Sequence, residues 1–434
     1  MKHARPVTET SPMRFSQRTN WNTAESELAR AHRERVAAGL PIADLTASNP
    51  TKCEFAYPAS LLDALADRRA LEYDPQPKGL LSAREAVCAY YRAHAFALDP
   101  NQIVLTTSTS EAYSFLFRML CDPGDEILIP QPGYPLFDFL AGLDDVRLKA
   151  APLVYENGWQ IDAEGIRRAI TPRTRAIVIV HPNNPTGHYT KPWEAEELAQ
   201  ICREFGLSLI VDEVFLDYSF RAKAESFGDT SKSFAGGIEG VPVYVVSGLS
   251  KIAGLPQMKA AWIVATGQEH EEAREQALAR LEVIADTFLS MNAPVQLAIP
   301  AWLGGREAIQ EQIRQRVAVN LAELDGALEA ANSAQGSTQQ LKAVQRLMAV
   351  QRLQVEGGWY AVLRIPAIEP DERTVLALLE RGVWVHPGYF FGMAESGWLV
   401  VSLLAPEAEF SNGVAIMIDY LGTNHGRNVT GKLV

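Results

Sequence analysis

The sequence predicts an α/β protein with a mostly parallel, doubly wound sheet in a large domain, joined to a smaller α+β domain. Three observations carry this. From about Tyr73 to Pro300, short apolar runs alternate with helical patterns, the signature of strands joined by crossover helices. After Pro300 the pattern changes to a helix-rich stretch followed by strands. The chain has 434 residues, 47% hydrophobic and 21% charged, enough for two or three core-bearing units.

Taken in order, residues 1–20 are polar and aperiodic and read as a mobile tail, and 21–69 as an N-terminal segment packing with the small domain. A helix is expected over Ala24 to Ala38, capped by Thr23 and stopped by Gly39. Ile42 to Thr46 reads as a short strand leading to the loop Asn49-Pro50-Thr51. Within the large domain, 70–300, strands are expected at Ile103–Leu105, Glu126–Ile129, Ala176–Val180, Leu207–Val211, Val241–Val246 and Ala260–Ala265. Trp193 to Phe205 has the apolar spacing of an amphipathic helix. The small domain, 301–422, carries strand patterns at Trp359–Leu363, Gly382–Val385 and Trp398–Leu404, and 423–434 reads as a tail. Ala343-Val344-Gln345-Arg346-Leu347 recurs as Ala349-Val350-Gln351-Arg352-Leu353, a tandem duplication expected on a surface helix or loop; two copies build no solenoid.

Composition narrows the function. A net charge of −12 without blocks of like charge argues against nucleic-acid or membrane partners. Cys53, Cys88, Cys121 and Cys202 lack metal-ligand spacing and are expected as reduced thiols in a cytoplasmic protein, with no metal. No secretory h-region and no transmembrane-length apolar run is seen. No Gly-x-Gly-x-x-Gly follows the first strand of the large domain, which argues against a dinucleotide-dependent dehydrogenase.

The chemistry concentrates at strand ends. Lys251 lies in Ser247-Gly248-Leu249-Ser250-Lys251, directly after an apolar run, where a parallel sheet presents its ligands. A lysine there can form a Schiff base with an aldehyde cofactor such as pyridoxal 5'-phosphate (PLP). Asp212 and Glu213 end another strand; a buried carboxylate needs a cationic partner, either a protonated pyridine nitrogen or a protein arginine or lysine. His181-Pro182-Asn183-Asn184-Pro185-Thr186-Gly187 is turn chemistry that can also aim a side-chain amide at a ligand. Ser108, Thr109 and Ser110 open a helix and so form an anion site, although serine and threonine are ordinary caps as well. Tyr134, in Gln131-Pro132-Gly133-Tyr134-Pro135, either stacks on a planar ring or belongs to the core.

Together these residues resemble the class I/II, fold-type I PLP-dependent aminotransferases, from about Asp44 to Leu404. The resemblance implies that Lys251 carries the cofactor as a Schiff base and shuttles the substrate's α-proton, while Asp212 pairs with the pyridine nitrogen. It implies that Asn184 bonds the phenolic oxygen, that Tyr134 stacks on the ring, and that Ser108, Thr109 and Ser110 hold the phosphate. Tyr73 matches a tyrosine reaching the neighbouring subunit's phosphate, so a homodimer with shared sites is implied. The expected activity is transfer of an amino group from an amino acid or amine to an oxo acid by a ping-pong cycle. A β-eliminating C–S lyase on the same fold is the alternative, and a PLP-binding regulator is disfavoured by acidic charge and the lack of room for a DNA-binding module.

Four departures from that family's pattern matter. Lys259 stands where an arginine usually grips the phosphate, keeping the charge but losing the bidentate fork. Gly248 replaces a serine, leaving Ser247 or Ser250 to compensate. Phe215 replaces a tyrosine that donates to the phenolic oxygen, a loss expected to raise the Schiff base's pKa. Val400 replaces the arginine that binds the substrate's α-carboxylate, with Arg364, Arg14, Arg18 or Lys52 as stand-ins, unless the substrate has no such group. The resemblance implies that Asn49 belongs to the loop that closes over the substrate, and that His386 to Phe391 with Gly357 to Tyr360 bring aromatics to its mouth, as pocket or as core.

Overall fold

A computed structural model describes residues 14–220, 232–267, 271–289, 291–334 and 350–430. The large unit is built from β2 (Ile103–Thr106), β3 (Glu126–Gln131), β4 (Arg147–Tyr155), β5 (Trp159–Ile161), β6 (Thr174–Val180), β7 (Ser208–Asp212), β8 (Val243–Gly248) and β9 (Ala261–Thr266), after a short β1 (Ala43–Asp44). They form one sheet in the order β2-β9-β8-β7-β6-β3-β4-β5. The run from β8 to β4 is parallel, while β9 lies antiparallel to both of its neighbours and β5 antiparallel to β4.

Residue alternation on the central strands explains the two helical layers. Ile177, Ile179, Leu209, Val211, Val243 and Val245 face one core. That core is shared with α2 (Leu81–Ala93), α6 (Pro192–Phe205) and α9 (Ala293–Gly304). Ala176, Val178, Val180, Ile210, Tyr244 and Val246 face the other, against α3 (Thr109–Leu120), α4 (Phe137–Leu143) and α8 (Glu271–Thr287). Helix α1 (Glu27–Ala37) precedes these in the chain, and α5 (Ala163–Ala169) and α7 (Leu249–Ile252) lie between them. Strands buried on both faces read as continuous apolar runs, which is why they were legible.

The second unit follows α10 (Glu307–Ala334). It comprises β10 (Gln351–Arg352), β11 (Tyr360–Arg364), α11 (Asp371–Glu380), β12 (Val383–Trp384), β13 (His386–Pro387), β14 (Trp398–Ser402) and α12 (Glu407–Thr430). Its antiparallel sheet runs β10-β11-β14-β13, and β1 pairs in parallel with β12, joining the N-terminal segment to it.

Several expectations shift. Helix α1 starts later than expected, because Ser26 rather than Thr23 supplies the cap, its Oγ accepting from Ala29 N. The hairpin β4–β5, absent from the expected strands, exposes Arg147 and Lys149 on one side and so has no continuous apolar run. Helix α12 continues through 423–430, where a tail was expected; no proline stops it after Leu421. The first copy of the duplicated pentapeptide lies outside the described residues, and Gln351–Arg352 of the second forms the edge strand β10 instead of helix or loop.

Candidate active site

Val180, Asp212 and Val246 are neighbours in register at the carboxyl ends of β6, β7 and β8, and Thr106 and Gly248 both pair with Ala261 beside them. The loops leaving this edge therefore converge, as they do in open parallel sheets generally. They carry Ser108–Ser110, Asn184, Asp212 and Ser250–Lys251.

Lys251 sits in the one-turn helix α7 directly after β8. Its backbone is pinned from distant parts of the chain: Tyr218 Oη donates to the Lys251 carbonyl (2.7 Å), Gln310 Nε2 to that of Ile252 (2.8 Å) and Tyr57 Oη to that of Gly254 (2.8 Å). Its Nζ lies 3.4 Å from the Ser48 carbonyl, 4.8 Å from the Trp359 ring centre and 5.6 Å from that of Phe215. Burial among these rings pulls the ammonium down to about 8 from the ordinary lysine value, and the Asp212 charge opposes the shift.

Asp212 is buried at the end of β7. Tyr113 Oη donates to its Oδ2 (2.9 Å) and Val214 N to its Oδ1 (3.0 Å). Burial pushes the carboxyl up to about 6 against these two donors and Lys251. No ion pair with arginine or lysine holds it among the described residues, so the structural alternative of a buried salt bridge is not what the fold builds. Glu213, next in the chain, turns away to accept from Ser233 Oγ (2.7 Å) and Phe234 N (2.6 Å).

The asparagine pair divides its work. Asn183 Oδ1 accepts from Thr186 Oγ1 (2.8 Å) and its Nδ2 donates to the Pro132 carbonyl (3.3 Å), which ties the turn to the loop of Tyr134. Asn184 is buried, and its Oδ1 has no partner among the described residues. Gly187 completes the turn at φ +69°, with a would-be Cβ only 2.4 Å from the Gly357 carbonyl, so only glycine fits.

At α3, Ser108 Oγ is committed to the helix cap, accepting from Glu111 N (3.1 Å), while Thr109 and Ser110 occupy the first turn, half-buried. Tyr134 lies at the mouth, 47% exposed, and Tyr73 is 82% exposed. Lys259 is exposed with a left-handed backbone. Asn49 is exposed, and its side-chain oxygen accepts from Thr51 N and Oγ1.

The second unit meets these loops through Trp359, 4.8 Å from Lys251 Nζ, and Tyr360, edge-on to Phe215 at 6.5 Å. Tyr360, Val362 and Arg364 share a face with Ser402, Val400, Trp398 and His386, since directly paired residues point the same way. Val400 is fully buried between Val362 and His386, and His386 has its Nδ1 buried without a partner among the described residues. Arg364 lies at the far end of this face, exposed and stacked 4.9 Å over Trp398; Arg18 pairs with Asp145. The structure thus brings Lys251, Asp212, Asn184 and the α3 turn to one edge, while Arg364 lies on the second sheet. Sequence reasoning missed Tyr113, a tyrosine in an apolar helical stripe, and missed Tyr218, Gln310 and Tyr57, whose contacts lie 33, 58 and 197 residues away in the chain.

The family model for aminotransferase class I and II matches residues 44–415. The chain belongs to that family. It is therefore a PLP-dependent aminotransferase of fold type I. It is 30% identical over 278 residues to the glutamate-pyruvate aminotransferase AlaA of Escherichia coli K12, a match spanning 63% of this chain and 66% of that protein. It is also 30% identical over 246 residues to the S-alkyl-thiohydroximate lyase SUR1 of Arabidopsis thaliana, spanning 56% and 52%. The structure of an alanine aminotransferase from Pyrococcus furiosus superposes with a TM-score of 0.79 at 24% identity, covering 94% of this chain and all of that one, which shows the shared fold.

The residues present suit PLP. The side-chain NH2 of buried Asn184 is a donor of the kind a phenolic oxygen takes, and Asp212, held by donors of which neither is a cation, suits a ring N–H. The aminotransferase's departures also acquire physical reasons. A Cβ at Gly248 would lie 2.8 Å from Ala261 Cβ and 2.9 Å from the Ala260 carbonyl, so strand β9 packs too closely for the usual serine. Phe215, in place of the tyrosine, packs edge-on against Trp359 at 5.2 Å and keeps the surroundings of Lys251 apolar. No helix among the described residues is long and apolar enough to cross a membrane, and none of their acidic, histidine or cysteine side chains cluster as a metal site.

Proposed function

We propose that this aminotransferase takes the amino group of an α-amino acid or simple amine and passes it to a 2-oxo acid in two half-reactions centred on Lys251. The observation that carries this is the pairing of a depressed lysine with a buried carboxylate at one sheet edge. Bound PLP supplies the aldehyde that takes up the amino group and a ring that draws electrons from the α-carbon. Lys251 holds the cofactor, then takes and returns a proton at the substrate's α-carbon as a neutral amine, with a pKa near working pH. Asp212 keeps a proton on the ring nitrogen; Asn184 bonds the phenolic oxygen; Tyr134 covers the ring; Ser108, Thr109, Ser110, Ser250 and Lys259 surround the phosphate. Exposed Tyr73 reaches the partner's phosphate in a homodimer. Asn49 belongs to the loop over the substrate, and exposed Arg364, stacked on Trp398, is one stand-in for the carboxylate arginine. Four free cysteines accord with a cytoplasmic home.

A second reading, β-elimination from a thioether amino acid, is favoured by the likeness to the SUR1 lyase and by Val400 in place of the carboxylate arginine. Transamination has the wider support, from relatives named as aminotransferases. The two separate with ¹⁵N-labelled amino acids and amines, offered with and without a 2-oxo acid to protein whose dimer mass has been checked by sedimentation. Label in a new amino acid, formed only with the acceptor and by dimer, is expected. Pyruvate and free ammonia without acceptor would replace this reading with the lyase, and a sedimenting monomer with full activity would remove the shared-site role of Tyr73.

A further inference from the structure

We propose that Tyr113 is the positioning residue for Asp212, fixing its carboxylate so that an oxygen faces the cofactor's ring nitrogen. This rests on the role given to Asp212 above.

Tyr113 comes from α3, not from any loop at the sheet edge, and it is 3% exposed. Its hydroxyl reaches Asp212 Oδ2 at 2.9 Å, while Val214 N holds Oδ1 at 3.0 Å. Two donors on two oxygens define the plane of the carboxylate and still leave lone pairs on both for a third donor. The Tyr113 ring is itself held, edge-on to Phe137 at 5.0 Å and 85°, and 6.0 Å from Phe117 one turn further along α3. The hydroxyl therefore has little freedom to swing away. Phe137 opens α4 just beyond Tyr134, so the ring that orients Asp212 also packs on the segment carrying the residue at the cofactor's face.

The charge logic favours the same role. Among the described residues no arginine or lysine is in ion-pair contact with buried Asp212, so its ionised form depends on hydrogen-bond donors. The phenol of Tyr113 is raised well above its ordinary value by burial and by Asp212, and stays a donor over any working pH. Without it, burial is opposed only by Val214 N and Lys251, and the carboxyl is more readily protonated. A neutral acid cannot hold a proton on the pyridine nitrogen by charge.

The test uses Tyr113→Phe, which removes one oxygen and keeps the ring packing. PLP and 1-deaza-PLP, in which carbon replaces the ring nitrogen, are titrated into cofactor-free wild-type and variant protein. The wild type should prefer PLP, and Tyr113→Phe should weaken PLP about tenfold, as expected for a bond to a charged group, while leaving 1-deaza-PLP unchanged. The ¹⁵N shift of ring-labelled PLP should show the variant losing the ring proton at lower pH than wild type. Equal weakening for both cofactors would reduce Tyr113 to a packing residue and overturn the proposal, and so would no weakening of either. A wild type without preference for PLP would instead show that Asp212 does not serve the ring nitrogen, and the underlying reading would fail first.

Discussion

Lys251 is an amine whose surroundings make it usable near neutrality. Burial destabilises its charge, and Asp212 restores part of it, leaving a value of about 8. At pH 7.5 roughly a quarter of such an amine is neutral, against about 0.1% for an ordinary lysine. Only the neutral form captures an aldehyde. The rate at which cofactor-free protein captures PLP should therefore climb with pH up to about 8 and then level. In Asp212→Asn the midpoint should move lower, because a charge that raises it is gone. Stopped-flow absorbance across a pH series checks both, and a wild-type rate still climbing beyond pH 10 would refute the shift. At this scale the sequence was most informative where a polar residue ends an apolar run, as Lys251, Asp212 and Asn184 do. Tyr113 left no such mark. On α3 it lies four residues before Phe117 and reads as core, and only its distance to Asp212 gives the hydroxyl a task.

Among elements, the β8–α7 junction shows how packing has set the local sequence. Gly248 is extended, so its conformation does not demand glycine; the contact with Ala260 and Ala261 on β9 does. Replacing it by serine, the residue expected from the family's pattern, should destabilise the protein by about 1–3 kcal/mol, the usual range for overpacking. Urea unfolding of the holoenzyme and of cofactor-free protein checks this. Unchanged midpoints would mean that β9 moves aside and that glycine was not required. Elements were legible where burial is two-sided, as in β6, β7 and β8, and illegible where it is one-sided, as in the β4–β5 hairpin. Helix starts depended on which hydroxyl reaches a free N–H, and for α1 that was Ser26, three residues after the one expected.

Across the whole molecule, the site needs both sheets. The large sheet supplies Lys251 and Asp212, while Trp359, just ahead of β11 in the second, lies 4.8 Å from Lys251 Nζ and Tyr360 lies edge-on to Phe215, beside the Ser48 carbonyl of the N-terminal segment. Ser402 ties that segment in, its N–H donating to the Leu45 carbonyl at 2.7 Å and its hydroxyl to that of Ala47. The order of motifs along the chain revealed which fold would bring these parts together, but not the clamps on the Lys251 loop from Tyr57, Tyr218 and Gln310, since such contacts leave no local pattern. The central claim is that Lys251 holds PLP and yields it to an amino donor. It is tested most directly by borohydride reduction and peptide mapping of the holoenzyme, before and after one equivalent of amino donor. The account predicts a pyridoxyl mass on the Lys251 peptide beforehand; afterwards that adduct is lost, with one 2-oxo acid formed per site. An adduct on another lysine, or one that persists while ammonia accumulates, would contradict it.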